Sequence, residues 1–154
     1  MVNTLKEMKV LPENKKTIYL AGGCFWGVEG YFQRINGVVN TETGYANGKT
    51  NDTDYEHIGI TDHAETVKVE YDYSKIYLEE ILLHYFRIID PTSVNKQGND
   101  IGRQYRTGIY YENDEDEEII KKVMDFESKK YGKLAVENQK LKNFVLAEEY
   151  HQDY

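Results

Sequence analysis

Residues 17–35, TIYLAGGCFWGVEGYFQRI, decide the fold of this chain, because they predict a strand that leads directly into a helix. Residues 17–21 are typical of a short buried strand, and the glycines at 22 and 23 permit a tight turn. Apolar side chains then recur at helical spacing, at Phe25, Val28, Phe32 and Ile35. Cys24, the only cysteine in the sequence, therefore lies at the start of the predicted helix.

The position of Cys24 favours a reactive thiolate. Unpaired backbone N–H groups and the positive end of the helix dipole stabilise an anion at a helix N-terminus. We therefore expect the pKa of Cys24 to lie well below the value of about 8.5 of a free cysteine. The alternative is a packed core residue, since free cysteines are among the most buried residue types. The flanking glycines argue against it, because a packing cysteine does not need close backbone approach on both sides.

Outward from this stretch, strands and helices alternate without internal repeats or a flexible linker. Val67, Val69 and Tyr71 alternate with charged residues as in a half-buried strand, and residues 107–111 predict another strand. Apolar side chains at helical spacing over residues 78–89 predict a second helix, which Asp90-Pro91 ends.

A third helix is indicated by Ile119, Ile120, Val123 and Phe126. The acidic run at residues 112–118 precedes it, where negative charge complements the helix dipole, so we interpret the run as solvated charge and not as a cation site. The order of strand, helix, two strands, helix and strand predicts a split βαβ core in one α+β domain over residues 1–154. The aperiodic remainder predicts a long irregular C-terminal segment wrapped over that core.

Composition narrows the class of protein. The 19 basic and 27 acidic residues give a net charge of −8, which opposes nonspecific binding to nucleic acid or anionic membranes, so neither is an expected partner. No apolar run approaches the roughly 18 residues of a membrane span, and residues 1–16 lack a signal-peptide core, so we expect a cytoplasmic protein. One cysteine allows no intramolecular disulfide, and the four histidines lack ligand spacing, so we predict no metal site.

The pentapeptide Gly23-Cys24-Phe25-Trp26-Gly27 resembles the signature of the A-type peptide methionine sulfoxide reductases. Further blocks resemble that family in its order: Tyr45-Ala46-Asn47-Gly48, Tyr55-Glu56, His63-Ala64-Glu65, Asp90-Pro91-Thr92, Gln97-Gly98-Asn99-Asp100, Gln104-Tyr105-Arg106 and Ala147-Glu148-Glu149-Tyr150-His151-Gln152. The resemblance implies a ferredoxin-like α+β core without a prosthetic cofactor. It also implies reduction of the S epimer of free or peptide-bound methionine sulfoxide, a repair of oxidative damage.

The resemblance also implies roles for seven residues. Cys24 is the expected nucleophile, which becomes a sulfenic acid, and Glu65 the expected proton donor. Burial beside apolar residues and a nearby thiolate would raise the pKa of Glu65. Without the family match, the sequence alone favours a surface glutamate at the start of a strand. The residues expected to bind the substrate are Phe25 and Trp26 as an aromatic wall for its methyl group, Tyr55 and Tyr105 as hydroxyls toward its oxygen, and Asp100. For Phe25 the alternative of core packing stays open, because two consecutive large aromatic residues cannot both point into the core from one helical turn.

The sequence departs from the family pattern at its end, because no resolving cysteine follows the last block. We expect an external thiol, from thioredoxin, glutaredoxin or glutathione, to reduce the Cys24 sulfenic acid. Whether residue 24 is natively cysteine or selenocysteine stays open. Other departures are Ser93-Val94, Arg103 and a shortened stretch between residues 55 and 63.

Three rival functions remain open. A cysteine hydrolase would need a histidine base near Cys24, and His63 is the best candidate. A thiol peroxidase would form the same sulfenic acid from hydrogen peroxide, without needing an aromatic wall for a methyl group. A non-catalytic module would bind oxidised methionine without turnover, and Cys24→Ser would leave that binding intact.

Overall fold

The computed structural model describes residues 14–149. Its helices are α1 (Phe25–Gln33), α2 (Ile58–Thr61), α3 (Leu78–Ile88) and α4 (Asp114–Tyr131). Its strands are β1 (Lys15–Gly22), β2 (Val38–Ala46), β3 (Ala64–Asp72), β4 (Lys96–Gln97), β5 (Asp100–Ile101), β6 (Thr107–Tyr111), β7 (Glu137–Lys140) and β8 (Phe144–Leu146). A 3₁₀ turn at Arg103–Tyr105 leads into β6.

Six strands form one mixed sheet in the order β7-β6-β1-β3-β2-β8, and β4 and β5 form a separate two-stranded hairpin. Within the sheet, β6 and β7 are parallel and the other neighbours are antiparallel. The fold is therefore α+β. Its two longest pairings place β3 between β1 and β2, with Tyr45 opposite Glu65 and Leu20 opposite Val67.

The core lies on both faces of the sheet, because side chains alternate between the faces along each strand. On β1, Ile18 and Leu20 point into the larger cluster, which includes the buried faces of α1, α3 and α4. Tyr19 and Ala21 point the other way, into a smaller cluster that Phe144 and Leu141 flank. Burial on both faces explains why residues 18–21 are continuously apolar.

The sequence places the first strand and all three predicted helices correctly. β1 ends at Gly22 and α1 begins at Phe25, and α3 ends just before Asp90-Pro91. The acidic run supplies the first turn of α4, whose four acidic residues complement the helix dipole. The aperiodic C-terminal part contains two short strands, β7 and β8, which pair at opposite edges of the sheet.

Within residues 14–149, none of the helices combines the length and the apolar character that crossing a bilayer demands.

Candidate active site

Cys24 is the N-cap residue of α1, as the sequence predicts. Its backbone is extended, with φ −60° and ψ 119°. The backbone N–H groups of Trp26 and Gly27 donate hydrogen bonds to the sulfur. Gly23 has φ +87°, a conformation that favours glycine, so the turn between β1 and α1 depends on that residue.

The expectation of a lowered pKa for Cys24 is wrong, because the structure raises this pKa in the protein without bound substrate. Burial of the half-buried thiol is the largest effect and raises its pKa, because the thiolate loses solvation. The carboxylates of Glu65 and Asp100 raise it further. The two backbone N–H groups lower it, but they do not outweigh burial and the two negative charges. The helix N-terminus therefore offsets only part of the cost of forming the thiolate.

Glu65 lies at the same helix N-terminus, although it comes from β3. Its Oε1 accepts a hydrogen bond from the backbone N–H of Phe25 at 3.3 Å, and its side chain bonds that of Gln104. The residue is only 3% exposed. Burial raises the pKa of Glu65 to about 7, against the lowering effect of these hydrogen bonds, and Asp100 raises it slightly more. Glu65 is thus a carboxylic acid that keeps its proton in about half of the molecules at pH 7.

The β4–β5 hairpin packs over the turn that carries Cys24. A Cβ atom on Gly23 would lie 2.7 Å from the Cβ of Gln97, so only glycine fits beneath the hairpin. The Gln97 side chain accepts a hydrogen bond from the Asp90 N–H at 2.8 Å and donates one to the Asp90 carbonyl at 2.9 Å. The hairpin is therefore tied to the end of α3, and it carries Asp100 close enough to raise the pKa of Cys24.

Tyr105 stands at the end of the 3₁₀ turn, within electrostatic reach of three other predicted site residues. Burial raises its pKa to about 12, and Glu65, Tyr55 and Asp100 add to that effect. Its hydroxyl therefore stays protonated at neutral pH and is available as a hydrogen-bond donor. Glu65 and Asp100 are thus within electrostatic reach of Cys24, and both are also within reach of Tyr105, which Tyr55 adjoins.

The two aromatic residues after Cys24 take different environments. Phe25 is buried, and its ring centroid lies 5.8 Å from that of Tyr45 and 6.2 Å from that of Trp26. Trp26 is only partly buried and packs against the edge of the core. Of the two rings, the indole is therefore the one that keeps solvent-exposed surface.

Glu148 is a residue of this region to which sequence reasoning assigned no role. Its carboxylate accepts hydrogen bonds from the Tyr45 hydroxyl and the Tyr55 backbone N–H. The only signal in the sequence was its place in the last family block. The end of that block, Tyr150-His151-Gln152, lies outside the described residues, as do residues 1–13 of the polar start.

His63, the base that a cysteine hydrolase would need, is fully buried. Its Nδ1 bonds the Thr61 hydroxyl at 2.8 Å, and a Cβ on Gly48 would meet its ring at 2.0 Å. Burial lowers its pKa, and the groups that further shift this pKa do not include Cys24. The part of the chain that the structure describes also contains no cluster of three or more acidic, histidine or cysteine side chains suited to a metal ion.

Comparison with known proteins decides the family. A family model described as peptide methionine sulfoxide reductase matches residues 16–154. The chain belongs to the peptide methionine sulfoxide reductase family. It is accordingly an oxidoreductase that acts on methionine sulfoxide in a thiol-dependent reaction.

Solved structures agree with this assignment. The reduced form of Mxr1 from Saccharomyces cerevisiae is 41% identical, with a TM-score of 0.86 over 94% of this chain and 86% of that one. Methionine sulfoxide reductase A of Corynebacterium diphtheriae is 31% identical, with a TM-score of 0.83 over 94% of this chain and 74% of that one. A structure of Mxr1 in complex with Trx2 is 31% identical, with a TM-score of 0.68 over 89% of this chain and 84% of that one.

Proposed function

We propose that this reductase converts the S epimer of free or peptide-bound methionine sulfoxide to methionine, with Cys24 as nucleophile and Glu65 as proton donor. The observation that carries the proposal is the shared helix N-terminus. The Cys24 sulfur accepts hydrogen bonds from two backbone N–H groups at the start of α1. The buried Glu65, which has a pKa of about 7, accepts a hydrogen bond from the backbone N–H of Phe25 in the same turn. A nucleophile and a neutral acid in one pocket are what transfer of oxygen from sulfur requires.

In the first step, the Cys24 thiolate attacks the sulfoxide sulfur while Glu65 gives its proton to the sulfoxide oxygen. The sulfur–oxygen bond of the substrate breaks, and the oxygen ends on Cys24 as a sulfenic acid. Methionine leaves in reduced form, and Cys24 has lost the two electrons that the substrate gained. Tyr55 and Tyr105 donate hydrogen bonds to the oxygen, and the ring of Trp26 contacts the S-methyl group, with Phe25 behind it.

Regeneration of Cys24 uses external thiols, because the sequence contains no second cysteine. One thiol attacks the sulfenic sulfur, water leaves, and a mixed disulfide forms. A second thiol then releases Cys24 and carries the oxidising equivalents away as a disulfide. We propose a thioredoxin as this reductant, ahead of glutaredoxin or glutathione, and the Mxr1–Trx2 complex of the yeast relative supports that choice. A reducing compartment such as the cytoplasm would supply these thiols.

The same proposal includes the finer description of the fold. The order β6-β1-β3-β2, with α1 and α3 as connections, supports a ferredoxin-like split βαβ core. Residues 137–149 then extend this core at both edges of the sheet, as a segment wrapped over it would. The family match over residues 16–154 supports a single reductase domain for the whole sequence.

A single-turnover experiment tests the assignment of Cys24. The protein, fully reduced and then freed of reductant, is mixed with the S epimer of a blocked methionine sulfoxide. We expect about one methionine per protein and a dimedone adduct on Cys24, because the sulfenic acid persists without thiol. Cys24→Ser serves as the control and should give neither product. Methionine formation by that variant would remove Cys24 from the mechanism.

A further inference from the structure

Glu148 joins two parts of the site that lie far apart in sequence. Its Oε1 accepts a hydrogen bond from the Tyr45 hydroxyl at 2.8 Å, and its Oε2 accepts one from the Tyr55 backbone N–H at 3.2 Å. Tyr45 is fully buried in β2, opposite Glu65, and its ring packs on Phe25. One carboxylate thus ties the loop that carries Tyr55 to the packing beside Cys24.

The loop around Tyr55 has local order of its own and is anchored to the core through Ile58, which is only 2% exposed, but Tyr55 itself lies outside that core. Asp54 accepts a hydrogen bond from the His57 N–H at 3.0 Å and so shapes the turn from within. Tyr55 is 41% exposed, so burial alone does not hold it in one position. The bond from Tyr55 to Glu148, 93 residues further along the chain, supplies a contact between this turn and the sheet.

We propose that Glu148 is a positioning residue, which holds Tyr55 where its hydroxyl reaches the sulfoxide oxygen. The inference rests on the proposed function, in which Tyr55 binds that oxygen. Both carboxylate oxygens of Glu148 meet a donor, and a charged acceptor makes each hydrogen bond stronger than a neutral one would. Glutamine at this position has the same shape but no charge: its oxygen can accept from the Tyr55 N–H while its NH₂ group donates to the Tyr45 hydroxyl, so the bond from Tyr55 keeps an acceptor but loses the charge that strengthens it.

Amide hydrogen exchange tests the positioning directly and needs no turnover. In Glu148→Gln we expect the segment containing Tyr55 to exchange about tenfold faster than in the unmodified protein, because its N–H loses its charged acceptor. Glu149→Gln is the matched control, since it removes the same charge from the exposed neighbouring residue. Unchanged exchange at Tyr55 in Glu148→Gln, in a protein that melts at the normal temperature, would overturn the proposal.

Tyr45→Phe provides a second variant for the case in which Glu148→Gln does not fold. It removes the donor that orients the carboxylate but leaves Glu148 and Tyr55 in place. We expect an intermediate increase in Tyr55 exchange, of about threefold. Exchange equal to that of the unmodified protein would count against a role for the carboxylate in holding the loop.

Steady-state kinetics test whether positioning matters for the reaction. Glu148→Gln should lower kcat/KM for the S sulfoxide about tenfold. The same substitution should have almost no further effect in a Tyr55→Phe background, because both changes impair the same interaction, the hydrogen bond from the Tyr55 hydroxyl to the sulfoxide oxygen. Two independent losses that multiply would refute action through Tyr55. If the unmodified protein reduces neither epimer, the proposed function fails, whereas the exchange result still decides whether Glu148 holds Tyr55.

Discussion

Replacing Glu65 by glutamine should change the shape of the pH–rate profile, not only the rate. Cys24 and Glu65 share one helix N-terminus, and the reactive form of the pair carries one proton, as thiolate plus neutral acid. Glu65 has a pKa of about 7 and the pKa of Cys24 is raised, so the pair loses its first proton near pH 7 and its second at alkaline pH.

The magnitude follows from these pKa values. kcat/KM should reach about one-tenth of its plateau at pH 6 and about half at pH 7, because those are the fractions that have lost the first proton. It should fall again above the pKa of Cys24. Within the singly protonated pair, the thiolate with neutral acid is a minority form, because Glu65 is the stronger acid. The maximal kcat/KM is therefore lower than it would be if every singly protonated pair were in the reactive form.

In Glu65→Gln only the thiol titrates. The limb near pH 7 should disappear, the rate at pH 8 should fall by about 10²-fold or more, and activity should rise continuously into the alkaline range. The pKa of Cys24, measured by the pH dependence of iodoacetamide alkylation, should drop because the repulsion from Glu65 is gone. Glu42→Gln is a suitable control, since that half-buried carboxylate lies on β2 and pairs with Lys68 instead. An unchanged limb near pH 7 in Glu65→Gln would refute the assignment of that limb to Glu65.

Three further predictions concern stability and binding. The folded pKa of Glu65 is raised from 4.5 to about 7, so folding is penalised increasingly as pH rises from 4.5 and fully above 7. Chemical denaturation should therefore show Glu65→Gln to be more stable by about 3 kcal/mol at pH 8, with no gain at pH 4. Gly23→Ala should lower the free energy of unfolding by about 1–3 kcal/mol, because residue 23 has a positive φ and a Cβ atom there would collide with Gln97. Gly27→Ala should cause no such loss, because a Cβ atom at residue 27 would meet no neighbour. Equal losses in the two variants would contradict the close approach of the hairpin. Tyr105→Phe should lower kcat/KM about tenfold without moving either limb of the pH profile, since its pKa of about 12 keeps it protonated throughout; a displaced limb would show that Tyr105 itself titrates in the reaction.

Elements with a clear period were predictable from the sequence. α3 has a regular apolar face and a proline stop, and α4 has an acidic first turn, so both follow from local rules. β2 is buried on both faces and offers no alternation, so its position could not be read in the same way. β7 consists of four polar residues and becomes a strand only because β6 presents an edge for it to pair with.

The sequence predicts which residues form the candidate site, but it does not predict the electrostatics that the structure shows there. The glycines around Cys24 indicate the turn, and the family blocks indicate Glu65. The direction of the Cys24 pKa depends on how deeply the thiol is buried and on two carboxylates that arrive from β3 and the β4–β5 hairpin. Such distances between segments are set by tertiary packing, which spacing within one segment does not encode. The role of Glu148 was missed for the same reason, because Tyr45 and Tyr55 lie 103 and 93 residues away.

The most direct test of the central claim is turnover of the separated S and R epimers of a blocked methionine sulfoxide, with dithiothreitol as reductant. The unmodified protein should consume the S epimer alone, and Cys24→Ser should consume neither. Consumption of the R epimer, or no turnover of either, would contradict the account of how Cys24 and Glu65 act at this helix N-terminus.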